Sequence, residues 1–166
     1  MKIESNGVVL EVADTGGPGP AVLLIMGLGM QLTAWPQALI DALMAAGLRV
    51  VRFDNRDAGL SQVFDGARTP RLLTAFLQLQ LGLPLRLPYT LADMAGDARG
   101  VLDALHIASA HVVGASMGGM IAQRLALAAP ERVLSLTSLM SSSGARGLPG
   151  PQGRVLRLMM RRPPAH

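Results

Sequence analysis

The chain contains no cysteine among its 166 residues. Disulfide bonds, thiolate chemistry and cysteine-based zinc sites are therefore excluded, and the absence fits a reducing compartment. Aromatic residues make up only 3% of the sequence, whereas half of all residues are hydrophobic. The core must then be built from aliphatic side chains and methionine, and the high hydrophobic share excludes a largely disordered chain.

Acidic residues are missing from the end of the sequence, and Lys2 is the sole lysine. Positions 1–132 hold ten basic and eleven acidic residues, whereas positions 133–166 hold five arginines and no acid. We interpret the net charge of +4 as the property of a solvated tail rather than of a phosphate-binding face. One lysine at the N-terminus excludes a P-loop, and few aromatics argue against base stacking. We expect no nucleic-acid partner.

The sequence also lacks an uninterrupted apolar stretch of about twenty residues, the length that spans a bilayer as a helix. The longest uncharged stretch, residues 15–40, is broken by a run of glycines and prolines and by Pro36. Glu4, Glu11 and Asp14 argue against a signal peptide at the start. We expect a cytoplasmic protein with no membrane partner.

Strand-like and helix-like segments alternate along the chain. An opening hairpin is predicted to turn at Asn6-Gly7 and to pair residues 2–4 with 8–13. Buried strands are predicted at 21–26, 48–53, 110–115 and 133–140. Helices are predicted at 35–46, 72–81, 90–105 and 117–129. Such alternation is typical of a doubly wound, mostly parallel α/β sheet.

Two further features concern boundaries. Thr90 and Asp93 have the spacing of a helix capping box, which predicts that the third helix begins after Thr90. We divide the chain into a core, residues 1–150, and a basic segment, residues 151–166, that begins a lid or is disordered. The polar loop after the strand at 48–53 contains Asp54 and Asp57, which we interpret as residues that fix the loop.

Residues 114–118 read Gly-Ala-Ser-Met-Gly, a G-x-S-x-G pattern between a predicted buried strand and a predicted helix. A serine at such a turn is held in a strained conformation and exposed at the carboxyl end of the sheet. Gly114 and Gly118 supply the small residues that a close passage of strand and helix requires. The pattern predicts that Ser116 is a nucleophile; the alternative is a glycine-rich turn with an incidental serine.

A serine nucleophile needs two donors for the oxyanion that forms during acyl transfer. The backbone N–H of Met117, the residue after the serine, is the first candidate. The second should follow an earlier central strand, where the sequence reads Met-Gly-Leu-Gly-Met at residues 26–30. We predict that Leu28 N–H is this donor; the alternative is an ordinary strand-to-helix turn.

The chain resembles the α/β-hydrolase superfamily over nearly its whole length. The matching segments are Leu-Leu-Ile-Met-Gly-Leu-Gly at 23–29, Arg-Phe-Asp-Asn-Arg-Asp-Ala-Gly-Leu-Ser at 52–61 and His-Val-Val-Gly-Ala-Ser-Met-Gly-Gly-Met at 111–120. Together with residues 89–94, Tyr-Thr-Leu-Ala-Asp-Met, they are most similar to the esterase and methylesterase branch that includes aclacinomycin methylesterase.

The resemblance implies a serine hydrolase that cleaves a carboxylic ester of a small apolar substrate through an acyl-enzyme on Ser116. Leu28 and Met117 would be its oxyanion donors. Two departures stand out: Met26 occupies a position where many members have histidine, and Asp57 one where many have glycine. The second departure predicts a reshaped loop at 54–61. No cofactor motif or cluster of metal ligands is present, so no cofactor or metal is expected.

The remaining catalytic groups are not evident. In this fold the order is serine, then acid, then histidine, yet no acid follows Glu131 and the only later histidine is His166, the last residue. His111 precedes Ser116 by five residues, roughly 16 Å along a strand, whereas proton transfer needs about 3 Å. We expect the acid and histidine to lie beyond the C-terminus. The alternative function is therefore a truncated, inactive remnant or a binding and dimerising module that self-associates through an exposed sheet edge.

Overall fold

The computed structural model describes residues 1–64 and 87–145, together with 148, 153 and 154. Its strands are β1 Lys2–Ser5, β2 Val8–Asp14, β3 Ala21–Ile25, β4 Arg49–Phe53, β5 Ala110–Ala115 and β6 Val133–Leu139. Its helices are α1 Gln37–Ala45, α2 Leu91–Ala104 and α3 Met117–Ala128. The helix predicted at 72–81, most of the segment 151–166 and His166 lie outside the described residues.

The strands form one sheet in the order β1-β2-β4-β3-β5-β6. β1 and β2 pair antiparallel, as do β2 and β4, whereas β4, β3, β5 and β6 run parallel. The predicted α/β class with a mostly parallel sheet is thus confirmed. Parallel strands end at the same edge of a sheet, so the loops after β3, β4 and β5 meet there.

The opening hairpin turns at Asn6-Gly7, as predicted. Both residues have positive φ, 50° at Asn6 and 75° at Gly7, and Ser5 pairs directly with Val8 across the turn. Two positive φ angles define the type I′ turn, whose twist matches that of the flanking strands. The Asn6 amide also donates to the carbonyl oxygen of Asp93 and to the carboxylate of Asp97, which ties the hairpin to α2.

The sheet is covered by helices on both faces. Every residue of β3 is buried, which explains its continuous apolar sequence. Val22 and Leu24 pack with Trp35 and Ile40 on the α1 face. On the opposite face a larger core forms with α2 and α3, and its members include Leu23, Ile25, Phe53, Val101, Leu102, Val112, Ile121 and Leu125.

The helix starts agree with the predictions at α2 and differ at α1. The Thr90 side chain accepts from Asp93 N–H while the Asp93 carboxylate accepts from Thr90 N–H, which confirms the capping box. The predicted start of α1 at Trp35 is wrong by two residues. Residues 32–34 form a 3-10 turn, and Pro36 takes the extended N-cap conformation, so the helix begins at Gln37. None of the helices in the described part of the chain is both long and apolar enough to cross a membrane.

Candidate active site

Ser116 lies at the turn between β5 and α3, with φ 54° and ψ −121°. Few residues other than glycine adopt a positive φ, so this conformation is strained and depends on the packing around it. The Ser116 N–H donates to the carbonyl oxygen of Leu139 at 2.8 Å, and its carbonyl accepts from Gly119 N–H at 2.9 Å. Both peptide groups of the serine are therefore held by the end of β6 and the first turn of α3.

The turn is possible because strand and helix pass without side chains between them. A Cβ atom added to Gly114 would overlap the backbone of Gly118, and one added to Gly118 would overlap the carbonyl oxygen of Ile25. Added to Gly119, it would lie 2.6 Å from the Ser141 Cβ. The contacts at Gly114 and Gly118 are with backbone atoms, so they leave no room for alanine at either position.

The loop after β3, residues 26–32, lies against Ser116; we call it the oxyanion loop. An added Cβ at Gly27 would be 3.2 Å from the Ser116 Cβ and 3.6 Å from its Oγ. Met30 N–H donates to the Gly27 carbonyl at 3.3 Å, closing a turn in which Gly29 has φ 67°. Gly at this position with positive φ is typical of a type II turn. Leu28, at the tip, is 78% exposed.

The two candidate oxyanion donors thus come from segments that meet at Ser116. Met117 is the first residue of α3, and the first N–H groups of a helix have no acceptor within it. The positive end of the helix dipole also favours negative charge at this point. Leu28 follows Gly27, the residue whose missing side chain leaves room for the serine. Chemically, the arrangement can present a hydroxyl to a carbonyl carbon and backbone N–H donors to the oxygen of that carbonyl.

The residues after β4 hold the oxyanion loop by side-chain hydrogen bonds. The Asp54 carboxylate accepts from Leu32 N–H at 2.6 Å and from Leu60 N–H at 2.9 Å. The Asn55 side-chain amide donates to the Met26 carbonyl oxygen at 2.9 Å. Asp54 and Asn55 are each only 3% exposed. These bonds agree with the interpretation of Asp54 as a residue that fixes its own loop. They also connect Asp54 to the oxyanion loop.

Next to them, Arg56 forms a buried ion pair with Asp97 of α2. Two guanidinium nitrogens contact the two carboxylate oxygens at 2.7 and 2.6 Å. The same guanidinium stacks on the ring of Tyr89 at 4.9 Å and on that of Phe64 at 5.4 Å. Burial lowers the pKa of Arg56, but the hydrogen bonds and charge of Asp97 outweigh it and raise that pKa above its ordinary value. The ion pair joins the loop to α2.

Asp57, the second of the two departures from the resemblance, adopts φ 61°. Its carboxylate accepts from the Tyr89 hydroxyl at 2.6 Å and from Phe64 N–H at 2.7 Å. Burial, together with the hydrogen bond and charge of Asp57, raises the pKa of Tyr89 to about 12. The two hydrogen bonds that Asp57 accepts therefore close the loop. The residue does so in a left-handed backbone conformation, which glycine would adopt without strain.

Neither described histidine approaches Ser116. His111 is the second residue of β5, where its Nδ1 lies 2.8 Å from the Ser135 hydroxyl, at the end of the sheet opposite the turn. His106 follows the end of α2 with φ 55° and precedes β5, so it lies at this same end of the sheet. Glu131 lies in a 3-10 turn that leads into β6. Within residues 1–64 and 87–145, no three His, Asp or Glu side chains are grouped as a metal site would require.

Sequence reasoning missed Asn55, Gly27 and the Arg56–Asp97 pair. One signal was available for the pair: Asp97 lies between Met94 and Val101 on the apolar stripe of α2, and a buried acid needs a charged or hydrogen-bonding partner. Asn55 gave no such signal, because its bond to Met26 depends on the pairing of β3 with β4.

This chain is similar to known proteins in both sequence and structure. The model of the alpha/beta hydrolase fold family matches residues 20–157. The rhodomycin D methylesterase DauP of Streptomyces sp. (strain C5) is 35% identical, over 95% of this chain and 53% of that protein. The enol-lactonase of Burkholderia xenovorans LB400 has a TM-score of 0.63 at 29% identity, over 80% of this chain and 44% of that one. A hydrolase of Pseudomonas aeruginosa PA01 has a TM-score of 0.67 at 28% identity, over 97% and 53%. The chain spans about half the length of the curated relatives it matches.

Proposed function

The chain belongs to the alpha/beta hydrolase fold family, and from this premise we propose that Ser116 is the nucleophile of a serine esterase acting on small apolar molecules. The observation that supports the proposal is the strained conformation of Ser116, φ 54° and ψ −121°, beside Gly27, where an added Cβ would lie 3.2 Å from the Ser116 Cβ. A strained non-glycine residue at a strand-to-helix turn is costly to fold, and such strain is concentrated at functional sites. The similarity to methylesterases supports a carboxylic ester as the substrate class.

The proposed chemistry follows from the geometry. The Ser116 hydroxyl attacks the ester carbonyl carbon, and the carbonyl oxygen takes the negative charge while facing the N–H groups of Met117 and Leu28. A base takes the Ser116 proton and returns it to the departing alcohol as the ester bond breaks, and water then hydrolyses the acyl group from Ser116. The proton of Ser116 requires a base; His106 and His111, the histidines of the described residues, lie away from the turn. The proposal therefore assigns the nucleophile to Ser116 and the oxyanion donors to Met117 and Leu28.

The nucleophile is tested by covalent labelling. A fluorophosphonate should add one label per chain, detected by intact-mass spectrometry, and the label should disappear in Ser116→Ala. Ser135→Ala is the matched control, because that hydroxyl contacts His111 at the opposite end of the sheet and should not affect labelling. Turnover of p-nitrophenyl acetate should follow the same pattern. Labelling that persists in Ser116→Ala, or no labelling of the wild type, would refute the proposal.

A second candidate function, self-association, is favoured by β6. Residues 134–139 are all exposed, and they include Leu134 at 54%, Leu136 at 40% and Leu139 at 39%. In the described part of the chain no strand pairs with the outer edge of β6. An uncovered apolar edge strand is a template for pairing with another chain, here a second copy.

We propose Leu136→Lys as the test of self-association, with Val9→Lys as a control of equal exposure on β2. Sedimentation should show a dimer that only Leu136→Lys dissociates; a monomeric wild type would exclude this candidate.

A further inference from the structure

The oxyanion loop is held at its two ends by side chains of the neighbouring strand's loop. At its start, the Met26 carbonyl accepts from the Asn55 amide at 2.9 Å. At its end, Leu32 N–H donates to Asp54 at 2.6 Å. Between these points the loop's side chains contribute little, since Leu28 and Met30 are 78% and 48% exposed. The anchors therefore come from outside the loop.

Strand register explains why these two residues reach it. β3 pairs parallel with β4, and Ile25, the last residue of β3, is opposite Phe53, the last residue of β4. Asp54 and Asn55 leave β4 directly beside Met26. Asp54 is itself fixed, because its second oxygen accepts from Leu60 N–H and its backbone carbonyl accepts from the Ser61 hydroxyl at 2.6 Å.

The loop needs such anchors because its own sequence is flexible. Gly27 and Gly29 flank Leu28, and glycine populates a wider range of backbone conformations than any other residue. The hydrogen bond that closes the turn, from Met30 N–H to the Gly27 carbonyl, is long at 3.3 Å. An oxyanion donor is effective only when its position is set before the reaction, to within about 0.5 Å.

We propose that Asn55 and Asp54 are positioning residues that preset the Leu28 N–H toward Ser116. Asn55 fixes the plane of the Met26–Gly27 peptide, so the next peptide, which includes Leu28 N–H, can rotate only about Gly27. Asp54 fixes the far end of the same loop at Leu32. This inference rests on the proposed role of Ser116 and adds two residues that touch neither the substrate nor the reacting atoms.

The test compares Asn55→Ala with Ser5→Ala. Ser5 is also 3% exposed and also makes one buried side-chain bond to a backbone carbonyl, that of Asp97 at 2.8 Å, but it lies on the edge strand β1. Phosphonylation of Ser116 by a fluorophosphonate is measured at rising reagent concentration. We expect Asn55→Ala to lower the maximal rate about tenfold with an unchanged half-saturation concentration, because a displaced donor costs part of the 100-fold or more that a lost donor costs. Ser5→Ala should stay within about twofold of wild type.

Amide hydrogen exchange gives a second readout that does not depend on reactivity. Asn55→Ala should accelerate exchange at Leu28 and Met30 relative to Ser5→Ala. Equal rates of phosphonylation and equal exchange in the two variants would overturn the positioning role. If wild-type protein is not phosphonylated at all, the role of Ser116 fails; the exchange data then decide alone, and unchanged exchange in Asn55→Ala overturns this inference separately.

Discussion

The two ends of the parallel strands are built by different means. We call the end at which β3, β4 and β5 finish the carboxyl edge and the end at which they begin the amino edge. At the carboxyl edge, where β3, β4 and β5 end, polar side chains are buried, among them Asp54, Asn55, Arg56 and Asp97. The backbone there has positive φ at Asp57 and Ser116. At the amino edge, ion pairs lie closer to solvent, and Asp103 in its pair with Arg132 is 55% exposed. Buried polar groups cost free energy unless every partner is present, whereas exposed ones contribute little. The carboxyl edge therefore depends on a complete set of buried partners, whereas the amino edge does not.

Removing one partner of the buried ion pair should have the largest effect on this comparison. Arg56→Ala leaves the Asp97 carboxylate buried without its guanidinium and should lower the free energy of unfolding by about 3–5 kcal/mol. Asp103→Asn at the amino edge should cost less than about 1 kcal/mol. Urea denaturation of the two variants measures both values. Similar losses in the two would remove the distinction between the edges.

Substitution of glycine should separate the edges next. Gly118→Ala places a methyl group on the carbonyl oxygen of Ile25 and should cost about 3 kcal/mol by overpacking. Gly16→Ala, at the amino edge, meets no atom within 4 Å and pays only for its φ of 67°, about 1 kcal/mol. Thermal or urea unfolding compares them. A cost at Gly118 no greater than that at Gly16 would mean that the turn around Ser116 relaxes freely.

The Asp14–Arg49 pair gives a smaller effect that depends on pH. The hydrogen bond from Arg49 lowers the pKa of Asp14, although partial burial opposes this. An acid with a lower pKa in the folded state adds stability above its unfolded pKa and loses it as the pH falls through the folded value. Asp14→Asn should therefore cost about 1 kcal/mol at pH 7, and the cost should diminish below about pH 4. A cost that is constant from pH 7 to pH 2 would contradict the assignment.

Tyr89 gives an effect that is measured by titration rather than by unfolding. It is the sole tyrosine, so absorbance at alkaline pH reports its ionisation alone. We expect a midpoint near pH 12 in the folded protein and near pH 10 in urea. Because the pKa is raised on folding, the stabilisation is complete below pH 10 and is lost as the pH rises toward 12. Asp57→Asn should lower the folded midpoint, and a folded midpoint of 10 in wild type would exclude the contact.

Much of the fold follows from local sequence. The apolar run of β3, the Asn6-Gly7 turn and the capping box of Thr90 each specify an element through interactions of neighbouring residues, and all three were predicted. The start of α1 was not, because Pro36 fits both the first turn of a helix and the extended residue before it. The position of β3 between β4 and β5 likewise depends on contacts that no local pattern encodes.

The site divides in the same way. The glycine spacing around Ser116 is a local requirement of the strand-to-helix turn and could be read directly. The bonds of Asn55 and Arg56 join residues 29 and 41 positions apart, so their roles appear only when the strands are paired. The roles of Ser116, Leu28 and Met117 in catalysis remain predictions, and so does the division of the chain at residue 150.

The central pairing of the sheet also constrains how the molecule folds. β3 pairs with β5 by joining Ala21 to Ala110, so the middle of the sheet closes a very long loop of chain. Such closures are slow because their entropy is lost before any contact is gained. Gly27 leaves the ribosome long before Ser116, and neither can take its final conformation alone. The turn at Ser116 should therefore take its final conformation only once β3 and β5 have paired.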